Sequence, residues 1–113
     1  MLDILRRLEE MLRKYSYTGQ ANFVEGAAHA LRSGADDEFR EAITGNGIWG
    51  TAGSVSDVVI AGRRDAPDGI REDEKQFRAD IIALAEELEK ESLGTPRSRF
   101  IAGVMRDWNA RAI

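Results

Sequence analysis

Residues 45–60 read GNGIWGTAGSVSDVVI, and the stretches on either side read as amphipathic helix. Four glycines (Gly45, Gly47, Gly50 and Gly53) fall within nine residues, with Trp49 among them. Glycine loses more backbone entropy on folding than any other residue, so such a cluster implies special backbone geometry or close approach of other groups. GNGIWG matches the G-x-G-x-x-G dinucleotide fingerprint in form, but it follows a helical pattern rather than a strand, and no βαβ pattern surrounds it. No G-K-[ST] ending is present, which excludes a P-loop. The segment therefore reads as scaffold. Trp49 folds the loop onto the helices, and its indole N–H needs an acceptor once buried.

Outward from the loop, the chain is a series of helices. Leu2, Leu5, Leu8, Leu12 and Tyr15, widened by Ile4 and Met11, recur every three or four residues opposite Arg6, Arg7, Glu9, Glu10, Arg13 and Lys14. This spacing predicts a helix over about residues 2–15. Thr18 is positioned to cap a second helix with Val24, Ala27, Ala28 and Leu31 inward, and Gly34 to end it in a left-handed conformation. Ala27, Ala28 and Ala30 allow close approach of a neighbouring helix. Asp36 starts a third helix with acids in its first turn, Phe39 and Ile43 facing the core and Gly45 as terminator.

Within the loop, Ser54-Val55-Ser56-Asp57 fits a capping box in its Asp form. It predicts a short helix with Val55, Val58 and Val59 on one face, closed by Gly62. The β-branched run Val58-Val59-Ile60 leaves an extended segment as the alternative. Asp57 is then a cap, or a functional acid exposed in a cleft. Residues 63–69 form a polar connector with Pro67-Asp68-Gly69 as a turn signal, where Arg63 and Arg64 could hold an anion. From Arg71, an inner stripe of Phe77, Ile81, Leu84, Ala85 and Leu88 marks a helix closed by Leu93-Gly94. Thr95-Pro96 opens a last helix with Ile101, Val104, Met105, Trp108 and Ala112 inward and Phe100 adjacent.

A chain of 113 residues fits one domain, 1–113, able to bury its own core. The fold expected is all-α: a compact single-domain helical bundle of five to six helices around a Gly-rich loop. There is no cysteine, so disulfides and thiolate metal sites are excluded. The amphipathic, acid-bearing start lacks a signal peptide's apolar core, and no stretch is long enough to span a membrane, so a soluble, cytoplasmic protein is expected. Residues 72–91 carry eight acids against three bases, whereas 97–113 carry four arginines against one aspartate. An acidic chain without a long basic run is a poor nucleic-acid binder.

The segment W-G-x-A-G-S-x-x-D followed by aliphatic residues (Trp49, Gly50, Ala52, Gly53, Ser54, Asp57, Val58, Ile60) resembles a signature in a family of small bacterial helical proteins. Some of these are encoded near polymorphic toxin systems in the manner of immunity proteins. Phe39 before the loop and Phe77 and Leu84 after it fit the same arrangement, so the resemblance covers residues 1 to about 91. It leaves Thr51 and the basic tail after Gly94 unplaced. It implies a helical fold and neutralisation of a partner protein.

The chemical inventory is short. His29 is the sole histidine and has no ligand or triad partner at useful spacing; the loop serines lack a G-x-S-x-G elbow, and no metal-ligand spacing occurs. A carboxylate pair formed by Asp57 and an acid from another helix stays open. The expectation is a non-catalytic binding protein with no cofactor or metal. Its acidic face (Glu72, Asp73, Glu74, Asp80, Glu86, Glu87) would steer a basic partner surface such as that of a toxin. The alternatives are a small-molecule or anion-binding regulatory module using Gly45–Gly53 with Arg63 and Arg64, and a structural or homo-oligomeric subunit with a helix stripe covered only on pairing.

Overall fold

The leucine stripe of the first helix is its organising surface: Ile4, Leu5, Leu8 and Leu12 are all buried in α1 (Leu2–Lys14). The computed structural model describes residues 1–60 and 67–111. After α1 come α2 (Thr18–Arg32), α3 (Asp36–Thr44), a single turn α4 (Asn46–Trp49), a 3-10 turn (Val55–Asp57), α5 (Asp68–Lys90) and α6 (Pro96–Ala110). The protein is an all-α bundle, and no strand occurs among the described residues. The expected connector residues Arg63 and Arg64, the helix end at Gly62, and Ala112 lie outside the described residues.

α1 lies between α2 and α5, α6 packs on α5, and α3 and α4 extend from α2. Arg7 reaches Asp80 and Lys14 reaches Asp73, so seven residues forward on α1 match seven residues back on α5. The two helices are therefore antiparallel. One buried cluster runs from Leu5 and Leu8 through Val24, Ile43 and Trp49 to Phe77, Leu84 and Met105.

Three helices end in the same way. At α2, Gly34 takes φ +76°, its N–H donates to Leu31, and the Ala35 N–H donates to the Ala30 carbonyl. This is a Schellman ending, and it matches the left-handed glycine read from sequence. Ser16 and Ser92 hold the same position after α1 and α5, with φ +65° and +61°, where glycine is the usual occupant. Tyr17 N–H donates to Leu12 and Leu93 N–H to Leu88, completing the pattern. Gly94 is thus not the left-handed residue that closes α5; Ser92 is.

One expected cap and one expected turn are not made. Tyr17 both completes the α1 ending and precedes α2, so Thr18 is the first helical residue and no side chain caps α2. The junction is one residue too tight for the hydroxyl to reach. Asp68 and Gly69 form the first turn of α5 rather than a free turn, with Pro67 before them. At α6 the expected cap is present and stronger than read. Thr95 Oγ1 accepts from the Ser98 N–H at 3.1 Å, and Ser98 Oγ accepts from the Thr95 N–H at 3.0 Å, with Pro96 leading.

Candidate functional site

The glycine segment is fastened at several points by its own chain. Trp49 is 1% exposed, and its Nε1–H donates to the Ile43 carbonyl at 2.8 Å, the acceptor its burial requires. Arg97, at the start of α6, donates from Nε to the Trp49 carbonyl at 2.8 Å and from a terminal nitrogen to the Gly50 carbonyl at 3.4 Å. Gln20 donates to the Gly53 carbonyl and the Tyr17 hydroxyl to the Val59 carbonyl. The Ile60 N–H donates to Glu74 Oε2 at 2.6 Å. These bonds satisfy the Trp49, Gly50, Gly53 and Val59 carbonyls and the Ile60 N–H within the chain.

The glycines have different uses. Gly53 has φ +87°, whereas Gly50 is constrained by contact: a Cβ there would run into the Asn46 carbonyl oxygen. The capping box expected at Ser54 and Asp57 does not form. Ser54 Oγ donates back to the Gly50 carbonyl at 3.0 Å, and Asp57 stands exposed with no cap bond. The short helix is only the 3-10 turn. Val58 then turns extended (φ −69°, ψ 133°), so the chain takes the extended alternative. Val55, Val58 and Ile60 are buried while Val59 points outward, which separates the three valines expected on one face.

The six acids expected to form one face are distributed around α5. Consecutive helical residues step about 100° around the axis, so Glu72, Asp73 and Glu74 cannot share a side. Glu74 is 5% exposed and joins the Ile60 N–H to Arg78, whose terminal nitrogen lies 3.3 Å from Oε1. Asp80 is 3% exposed and accepts from Arg7 Nε at 3.0 Å and from Gln76 at 3.2 Å. Both are internal partners, because an unpaired buried carboxylate would be strongly destabilising. Asp73 takes Lys14 Nζ at 2.7 Å and the Tyr15 hydroxyl at 2.5 Å. Those two donors hold its carboxyl below the usual carboxylate range, and the same hydrogen bonds raise Lys14 and Tyr15 above theirs.

Glu72, Glu86 and Glu87 remain outside. Glu86 pairs with Arg106 at 3.0 Å and Glu87 with Lys90 at 3.3 Å. A hollow of about 300 Å³ between α5 and α6 has Ala85 and Ala102 as floor and the pairs Glu86–Arg106 and Glu89–Arg99 as walls. His29 is exposed, and no metal-capable cluster occurs among the described residues.

The surface that sequence reasoning placed inward lies on α6. Met105 is buried as expected, Ile101 and Val104 are half-buried, and Ala102, outside the expected stripe, is buried as well. Phe100 is 64% exposed and Trp108 is 40% exposed. Phe100, Val104 and Trp108 are spaced four residues apart and form one ridge along the helix. The Arg78 guanidinium lies over the Trp108 ring, 5.1 Å from its centroid. The available signal was angular: Phe100 falls well off the stripe marked by Ala102 and Met105. No family model, curated protein or solved structure matches this chain.

Proposed function

We propose that this protein is a non-catalytic protein-binding module of the immunity kind, one that neutralises a partner protein by covering part of its surface. The observation that carries the reading is the ridge on α6, where two large aromatic side chains stand in solvent on a capped, well-anchored helix. Aromatic residues on rigid elements supply much of the energy at protein interfaces. The likeness of the Trp49–Asp57 segment to a family containing immunity proteins points the same way. The exposed aromatics of α6 support this reading better than α5, whose acids are partly internal and partly paired.

Co-expression with the products of the adjacent genes tests this reading. A stoichiometric complex that Phe100→Ser and Trp108→Ala each weaken at least tenfold supports it. Absence of any complex, a complex indifferent to both changes, or a toxic neighbour fully active beside excess protein overturns it.

The same ridge favours a second reading, in which it is buried against another copy. Light scattering across a concentration series separates the two.

A further inference from the structure

We infer that the α6 ridge docks an amphipathic helix whose apolar stripe is flanked by carboxylates. This rests on the protein-binding reading and names the chemistry of the partner. Phe100 and Trp108, with Val104 between them, lie eight helical steps apart, or about 12 Å at 1.5 Å per residue, the length over which a partner helix presents two to three anchors.

The rim of this ridge is positive. Arg97, at its first end, bonds two neutral carbonyls, so its charge is not cancelled there. Lys75, whose carbonyl accepts from Asn109, stands exposed beside the other end. Arg78 lies against Trp108 with Glu74 behind it, and Arg111 pairs with Asp107. On the opposite flank of α6, Arg99 and Arg106 are matched by Glu89 and Glu86. The uncancelled positive charge therefore borders the apolar ridge, which suits carboxylates on the occupant.

The same charges disfavour the other occupants. An antiparallel copy centred on Val104 sets Phe100 against the second copy's Trp108, but it also sets Arg97 against Arg111. A flat anionic bilayer would meet the exposed acids of α5 as well as the ridge, on a chain of net charge −4. A single helix laid along the ridge meets only its rim.

Fluorescence anisotropy on the full chain tests this with two synthetic helices of roughly 18 residues, long enough to fold. Both carry leucine at i, i+4, i+7 and i+11; one has glutamate beside the stripe and the other lysine. The expected result is at least tenfold tighter binding of the glutamate helix, shrinking as salt rises. Trp108→Ala and Phe100→Ser should each abolish it with far-UV circular dichroism unchanged. Lys75→Glu should weaken the glutamate helix and strengthen the lysine one.

Equal binding, no binding, a preference for the lysine helix, sedimentation with vesicles of 30% phosphatidylserine, or self-association abolished by Trp108→Ala each overturns the inference. If a natural complex is lost on Phe100→Ser while the peptides show no preference, the partner chemistry is wrong and the binding function stands. A natural complex that ignores Phe100→Ser removes the function as well.

Discussion

The two tryptophans occupy opposite kinds of surroundings. Trp49 lies in the glycine-rich segment, where its ring is enclosed, its N–H bonds Ile43, and its carbonyl is held by Arg97. Trp108 lies on a regular helix with much of its ring in solvent and one guanidinium against it. The segment with the unusual sequence is thus the internal fastening, and the ordinary-looking helix carries the exposed apolar surface. Conspicuous composition marked where the backbone is demanding, and the two exposed aromatic rings of α6 lie elsewhere.

The largest expected effect separates these regions by stability. Trp49→Ala should cost about 3–5 kcal/mol, from lost burial and a residual cavity. For a domain of this size, that lowers the melting temperature by roughly 12–20 °C. Phe100→Ser, by contrast, should stay within about 0.5 kcal/mol of the parent in a denaturant titration. Equal losses for the two would erase the distinction.

Next is the tie between the end of the segment and α5. Glu74→Ala leaves both the Ile60 N–H and Arg78 without their shared carboxylate, and should cost about 3 kcal/mol in the same titration. Glu74→Gln keeps an acceptor for the amide and should recover part of the loss. If both variants match the parent, the segment is fastened some other way.

Smaller effects come from the helix endings. Ser16→Gly and Ser92→Gly relieve left-handed backbone and should each stabilise by roughly 0.5–1 kcal/mol, whereas Gly34→Ala should destabilise by about 1 kcal/mol. Thermal melts of the three single variants check the signs.

The last prediction concerns pH. Asp73 is depressed in the folded state, so its contribution is present above the unfolded carboxylate pKa and is lost as pH falls through the lower folded value. Tyr15 and Lys14 are raised, so their contributions hold below their unfolded values and are lost as pH climbs through the folded ones. Asp73→Asn should therefore lower the melting temperature most at mid-range pH, where all three contributions are present, and little at either extreme, so that both limbs of the profile flatten.

Much of the fold was legible because it rests on local pattern. The leucines of α1, the Phe77–Leu88 stripe, the Thr95-Pro96 start of α6 and the need of Trp49 for an acceptor are all properties of neighbouring residues. The candidate site was less legible. Asp80 finds Arg7 across 73 positions, and Glu74 reaches an amide 14 residues back, so the charge run looked like a face when its members point to different neighbours. Ser54 looked like a cap, but its hydroxyl meets a nearer carbonyl in Gly50. Serine at Ser16 and Ser92 gives no sign of left-handed backbone. Phe100 and Trp108 belong to a helix whose apolar residues exceed what its packed side can cover, which spacing alone does not reveal.

Native-state hydrogen exchange at the Trp49 indole and the Ile60 amide tests the central claim most directly. If the segment is internal fastening, both protons exchange only through global unfolding, with protection equal to that of the Leu8 and Leu84 amides and the same denaturant dependence. Exchange of either proton through a local opening far below the global stability, with α1 and α5 still protected, would contradict it.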